Sequence, residues 1–244
     1  MVADLDWLGI RWQEGLMPGG EERGAFGPYS QSQRADLYLA AWRELLRGGY
    51  VYPCACSRRE LAQQVSAPQE EQGPNAEQDT EPMYPGTCRR WLGEDEISAW
   101  LERGPAGANW RFRVPDGEVI RFRDNNPVFA AQSFTSGRDF GDFALWRRDG
   151  VPGYQLACVV DDAAMQITEV VRGADLLVST ARQILLQRAL SLPKPEYFHC
   201  ELVRDAEGKR LAKRNDALSL RALRQQGMAP LEVQGLGTRA RNRF

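Results

Sequence analysis

The chain has 244 residues, 43% of them hydrophobic and 26% charged, with a formal net charge of −2. That balance describes a soluble globular protein with room for one large domain or two smaller ones, and excludes a disordered or collagenous chain. No run approaches the eighteen or so apolar residues that a membrane span needs. Acidic residues stand near the N-terminus, where a signal peptide would carry positive charge. The reading is a cytoplasmic protein with no membrane partner, in which disulfides are rare and clustered thiols point to metal or catalysis.

Taken in chain order, residues 30–50 (SQSQRADLYLAAWRELLRGGY) place Leu37, Leu39, Ala40, Ala41, Leu45 and Leu46 at helical spacing, with Gly48 and Gly49 as a stop. A second helix is predicted from the capping box of Ser57 and Glu60, directly after Cys54 and Cys56. Residues 66–82 are polar, acidic and punctuated by Pro and Gly, a flexible insertion. EDEISAWLERG is predicted helical, and NWRFRVP and EVIRFRD are predicted strands joined by a turn at Asp116-Gly117.

The second half predicts a strand in DFALWRRDG, a helix in GYQLACVVDDAAM, and a short buried strand in ITEVVRG. A helix capped by Ser179 follows, then a strand in EYFHCELV, a basic loop over 205–217, and a helix from Ser219 to Gly227. This alternation predicts an α/β architecture with a parallel sheet. The last ten residues carry too few apolar side chains to pack and are expected to fray.

Three features carry chemistry. Cys54, Cys56 and Cys88, with Tyr84 between the last two, offer three thiolates and a phenolate that can complete a tetrahedral zinc shell. The alternative is that the thiols pack as small buried hydrophobes, as Cys158 and Cys200 are expected to do. Secondly, Lys194, Lys209 and Lys213 are the lysines among 31 basic residues, which leaves 28 arginines. An ammonium kept at Lys213 against that background marks a place where a compact charge serves better than a planar fork, unless the run is a solvated basic turn. Thirdly, Arg172 ends a short buried apolar strand, where its fork suits a carboxylate. That partner is a ligand or an internal Asp161, Asp162 or Asp175. Backbone N–H groups where Asp175 opens the next helix suit a nucleotide. His199, the single histidine, has no evident partner in the sequence and reads first as a packed strand residue.

The motifs YPCACSRREL and YPGTCR, then WRRDGVPGYQLACVVDDAAMQITEVVRGADLLVSTARQILLQRAL, then YFHCELVRDAEGKRLAKRNDALSLRAL, resemble in that order the glutamyl-queuosine tRNA(Asp) synthetases. These are shortened class I relatives of glutamyl-tRNA synthetase, and the likeness runs from DLDWLGIRW to about Gly227. It implies a Rossmann-like catalytic core with an inserted zinc-binding α+β acceptor-arm domain. The implied division is a remnant of the first half of the core at 1–50, the zinc-bearing insertion at 51–140, the second half of the core at 141–227 and a frayed tail at 228–244.

The resemblance further implies one structural zinc on Cys54, Cys56, Tyr84 and Cys88, and L-glutamate held by Tyr154 and Arg172. Arg210-Leu211-Ala212-Lys213-Arg214 looks like the KMSKS loop, with Arg210, Lys213 and Arg214 on ATP and magnesium accompanying the nucleotide. Lys213 is the catalytic residue of that set. A histidine near His199 lies close to the nucleotide site in the family. The implied partners are glutamate, ATP and queuosine-bearing tRNA(Asp), acting on a monomer. Only 30 residues follow Arg214, which favours the shortened type.

The family's HIGH-type segment precedes the stretch at which this chain begins. The expectation is therefore a fragment, a mis-started product or a relic that makes no glutamyl-adenylate as it stands. The competing readings are a catalytically inactive zinc- and tRNA-binding module, a fragment with no function of its own, and a fragment of a glutamyl-tRNA synthetase.

Overall fold

The computed structural model describes residues 2–56, 83–202, 219–233 and 235. It divides into two compact units, residues 1–33 with 201–244 and residues 34–200. In the first, helix α1 (Val2–Trp7) and a small antiparallel hairpin of β1 (Gly15–Leu16) and β2 (Glu22–Arg23) precede the second unit in sequence. Helix α6 (Leu220–Gln225) follows it, and Ser219 caps that helix by accepting the Ala222 N–H. Arg224 ties α6 to α1 by donating to the Ala3 carbonyl at 2.9 Å and pairing with Asp4 at 3.1 Å.

The second unit opens with α2 (Ala35–Arg47), which buries Tyr38, Ala41, Trp42, Leu45 and Leu46. That i, i+3, i+4, i+7, i+8 stripe is what makes the segment a helix packed on one face. It lies against a three-stranded antiparallel sheet of β3 (Val51–Cys54), β4 (Asn109–Phe112) and β7 (Phe143–Trp146), in the order β3-β4-β7. Trp110 at the centre meets Trp42 edge-on at 4.9 Å and Trp100, from α3 (Glu94–Arg103), at 4.8 Å. β5 (Val119–Arg123) and β6 (Ala131–Thr135) form a separate antiparallel ribbon.

Helix α4 (Tyr154–Ala164) then leads to β8 (Glu169–Gly173), α5 (Leu177–Ala189) and β9 (Glu196–Cys200). β8 and β9 pair in parallel, with α5 as the crossover that parallel pairing requires. α5 is buried almost all round. A buried ion pair, Arg34 to Asp161 at 2.7 Å, joins the residue before α2 to α4, and the Tyr38 hydroxyl donates to the same carboxylate at 2.9 Å.

Five expectations are corrected. The strand in ITEVVRG forms but is not buried: none of its residues from Glu169 to Gly173 is buried and Val171 is 64% exposed, because β8 lies beside β9 alone among the described strands. Among the named strands of the described residues, only β8 and β9 pair in parallel; β1–β2, β3–β4–β7 and β5–β6 are antiparallel. β4 and β5 exist but do not pair across Asp116-Gly117. Pro115 lacks a donor, and the Val114 N–H is taken by the Asp142 carboxylate at 2.8 Å, so the ladder stops and β5 joins β6. Ser179 is not a cap: α5 starts two residues earlier, and the buried Ser179 hydroxyl accepts from Gln155 at 3.0 Å. Cys158 and Cys200 are only partly buried rather than core thiols. The helix expected from Ser57 and Glu60, the insertion at 66–82, the loop bearing Arg210, Lys213 and Arg214, and the tail beyond 235 lie outside the described residues.

Candidate active site and metal centre

The thiol cluster is built by a strand end and a turn. Cys54 closes β3, and alternation along the strand puts Tyr52, Cys54 and the following Cys56 on one side. The return arm is Tyr84-Pro85-Gly86-Thr87, where Gly86 sits at φ +82°, in the left-handed region that glycine enters without steric cost. A turn with Thr87 and Cys88 at its centre follows, closed by the Arg89 N–H on the Gly86 carbonyl at 2.8 Å, and it carries Cys88 back to Cys56.

The resulting geometry is close. Cys54, Cys56 and Cys88 sulfurs all lie within 4.8 Å of one another. Cys56 and Cys88 sulfurs are 3.6 Å apart, and the Tyr84 hydroxyl oxygen is 3.6 Å from Cys54 Sγ and 3.7 Å from Cys56 Sγ. Zinc–sulfur bonds of about 2.3 Å in a tetrahedron set sulfur–sulfur edges of about 3.8 Å. The donor set is therefore at ligand spacing, and its soft thiolates suit zinc.

The neighbourhood acts differently on each donor. Arg111 directs its Nε–H at Cys54 Sγ from 3.3 Å and stacks its guanidinium 3.8 Å over the Tyr84 ring. Burial pushes the Cys56 thiol up to about 11. Burial acts in the same direction on Cys88, but hydrogen bonds from Tyr84, the Ala55 backbone and the neighbouring thiols outweigh it and bring that thiol to about 7. Tyr84 is raised by burial and by its thiol neighbours, although its oxygen accepts the Cys88 N–H at 2.7 Å. Behind them Tyr52 donates to Asp142 at 2.5 Å, and Asp142 also pairs with Arg89 at 3.4 Å. A cavity of about 380 Å³ opens beside the cluster, lined in part by Cys54, Cys88, Arg89 and Arg148.

The second site lies where α4 faces β8. Gly153 lets it form: its N–H donates to the Leu145 carbonyl at 2.6 Å, and a Cβ there would stand 2.8 Å from the Ala144 carbonyl oxygen. So close a start against β7 sends Tyr154, Cys158 and Asp162 along one face of α4, one turn apart. All three interact electrostatically with Arg172. Burial and the Cys158 thiol push the Tyr154 hydroxyl up to about 12, against a downward pull from Arg172. Burial raises the Asp162 carboxyl to about 6, again opposed by Arg172. The structure thus brings Tyr154 and Arg172 together.

Arg172 is not committed to an internal salt bridge with Asp161, which is occupied by Arg34. Its Nε–H donates to His199 Nε2 at 3.2 Å and its Nη2 to the Thr180 hydroxyl at 2.6 Å, and the guanidinium lies 5.5 Å over the Tyr197 ring. His199 does have a partner: its Nδ1 is 2.5 Å from Asp124 Oδ2, and both residues are almost fully buried. Sequence reasoning leaves Asp124 and Thr180 unassigned and reads His199 as packed. The one signal was the run Asp124-Asn125-Asn126-Pro127, whose side chains bond local backbone and end a strand.

A parallel β-α-β unit carrying Arg172 and an antiparallel sheet ending in a thiol cluster make this a mixed α/β fold. The family described as tRNA synthetases class I (E and Q), catalytic domain, matches residues 1–239, and the chain belongs to that family. Among its relatives is the Glutamyl-Q tRNA(Asp) synthetase of Symbiobacterium thermophilum, 46% identical over 234 residues that cover 96% of this chain and 68% of the relative. The protein of that name from Nitratidesulfovibrio vulgaris is 45% identical over 235 residues, with the same coverage of 96% and 68%. Glutamate–tRNA ligase 2 of Nitrosococcus oceani is 42% identical, over 94% of this chain but only 45% of the relative. The crystal structure of the glutamate–tRNA synthetase from Elizabethkingia anophelis superposes with a TM-score of 0.67 at 29% identity, over 89% of this chain and 43% of that one. The chain thus spans about two thirds of the glutamyl-Q relatives and less than half of the longer ligases. Among the described residues no helix is long and apolar enough to cross a membrane.

Proposed function

We propose that this protein works on the glutamyl-queuosine branch of the family, in which glutamate is activated with ATP and transferred to queuosine in the anticodon of tRNA(Asp). The observation that carries the reading is the pair Tyr154 and Arg172. A guanidinium at the end of a parallel strand, with N–H groups left over after bonding His199 and Thr180, faces a tyrosine hydroxyl on the neighbouring helix. That arrangement suits a carboxylate held bidentately, with the hydroxyl as a second contact. The greater similarity to glutamyl-Q relatives than to the longer ligase, 46% against 42%, and the fuller coverage of the former support the tRNA(Asp) choice.

Within this reading one zinc is held by Cys54, Cys56, Tyr84 and Cys88. When bound it supplies structural cross-linking of the β3 end to the Pro85-Gly86 turn, and Arg111 offsets the charge of the thiolates. Lys213, with Arg210 and Arg214, meets the phosphates of ATP, with magnesium accompanying the nucleotide. The test, run on the chain extended by the family's HIGH-type segment, is glutamate-dependent exchange of pyrophosphate into ATP, followed by transfer of labelled glutamate to tRNA(Asp) with and without queuosine. Transfer confined to the queuosine-bearing tRNA, and lost with Arg172→Ala, is expected. Charging of the 3′ end of tRNA(Glu) instead would refute the assignment.

A further inference from the structure

The glutamate reading uses Arg172 and leaves the buried groups behind it without a role. Asp124 is 2% exposed and His199 is fully buried, and neither can reach a ligand directly. Both are nevertheless polar, and burying them is costly unless the bonds they make matter. The bonds are specific. Asp124 Oδ1 accepts the backbone N–H groups of Asn126 at 2.9 Å and His199 at 3.1 Å, and Oδ2 faces His199 Nδ1 at 2.5 Å. Asn126 in turn donates to the His199 carbonyl at 2.7 Å. The Asp124–Asn126 segment therefore stands in for a neighbouring strand along β9 and fixes the His199 backbone from both sides.

The consequence lies on the other ring nitrogen. A carboxylate at Nδ1 requires a proton there, so Nε2 carries the lone pair in neutral imidazole. Nε2 looks at two groups, Arg172 Nε at 3.2 Å and the Thr180 hydroxyl at 3.1 Å. An arginine Nε–H can only donate. The contact is thus satisfied in one tautomer and becomes donor against donor in the other, or in imidazolium.

We propose that Asp124 and His199 are positioning residues for Arg172. Asp124 selects the Nδ1–H tautomer of His199, whose Nε2 then locks the guanidinium by its Nε edge. Thr180 holds Nη2, and the remaining N–H groups are turned towards the substrate carboxylate. The inference rests on the glutamate reading only for the identity of that carboxylate. The chain acts here as metalloenzymes do when a carboxylate behind a histidine fixes the ring that meets the ligand.

Asp124→Asn tests it closely. The amide oxygen still accepts both backbone N–H groups, while its NH₂ faces Nδ1 and forces the proton to Nε2. Because His199 is the single histidine of the chain, nitrogen-15 spectra of its imidazole report the tautomer without assignment. The wild type is expected to show a protonated Nδ1 and a bare Nε2, and Asp124→Asn the reverse. Glutamate affinity, read by titration calorimetry, should fall by roughly 10- to 100-fold, the range for losing such an orienting partner. In exchange assays the loss should appear in KM for glutamate rather than in KM for ATP.

Adding His199→Gln to Asp124→Asn supplies an amide that can turn its oxygen to Arg172, and should recover affinity to within a few-fold of His199→Gln alone. A merely structural Asp124 would show no such rescue. A wild-type ring protonated at Nε2, or an Asp124→Asn protein with unchanged tautomer and unchanged affinity, would overturn the proposal. If the tautomers behave as stated but the wild type binds another carboxylate and not glutamate, it is the substrate reading that fails.

Discussion

Arg172 and His199 are register partners on the parallel strands β8 and β9, and their side chains meet at 3.2 Å between Nε and Nε2. Laterally paired residues of a parallel ladder point to the same face, so the ladder itself delivers the contact. The arginine that resemblance assigns to glutamate is thereby tied to a histidine 27 residues away in sequence.

The pH dependence of stability follows from this pair. Burial, then the Arg172 charge, hold the His199 pKa below its ordinary 6.5, although Asp124 pulls it upward. A depressed histidine pKa means the unfolded chain binds the proton more readily, so its contribution is full above about pH 6.5 and is lost as pH falls below that. Asp124 shifts in the same direction, below its ordinary 3.8, where burial is outweighed by its bonds to His199 and Asn126. Urea midpoints at pH 7.5 and 5.5 should drop more in the wild type than in His199→Gln. Equal drops would mean that His199 takes no part in the acid sensitivity.

Purified protein should contain about one zinc per chain, and Cys56→Ser should lose most of it, because a four-ligand structural site tolerates little ligand loss. Chelation should lower the thermal midpoint of the wild type and leave Cys56→Ser unchanged. Metal analysis finding none in freshly folded protein would return these thiols to the role of packed side chains.

Gly153→Ala should displace Tyr154. The added Cβ would meet the Ala144 carbonyl oxygen at 2.8 Å and the Leu145 carbonyl oxygen at 2.9 Å, both backbone atoms that cannot swing aside. A stability loss of about 1–3 kcal/mol is expected, as for other overpacked sites, together with at least a several-fold weaker glutamate affinity. Calorimetry with unchanged affinity would show that α4 does not position the ligand.

In the chain extended by the family's HIGH-type segment, Lys213→Ala should cut adenylate formation by on the order of 100-fold or more, the usual cost of removing one contact to charge that develops in the transition state. Pre-steady-state exchange within a few-fold of the parent would make the basic run a solvated turn.

Much of this was legible in the sequence because it is local. Helical spacing announced α2, but of the six apolar positions read there only Ala41, Leu45 and Leu46 are buried, and Tyr38 and Trp42 complete the packed face while Leu37 is exposed. Ser219 and Gly227 delimit α6 through capping and turn chemistry that involve only near neighbours. The thiols and Tyr84 likewise announce a candidate metal shell by residue type. Pairing was not legible. β4 and β5 look like a hairpin across Asp116-Gly117, yet a carboxylate from Asp142, 28 residues away from Val114, caps the ladder and sends them to different sheets. Asp124 and His199 are separated by 75 residues, and nothing in either neighbourhood selects the other. Sequence alone determined which side chains this protein has available for metal, carboxylate and phosphate. Only the tertiary structure decided which of them touch, because register and burial are set by the competition of all segments for one interior, where an unpaired polar group is too costly to leave.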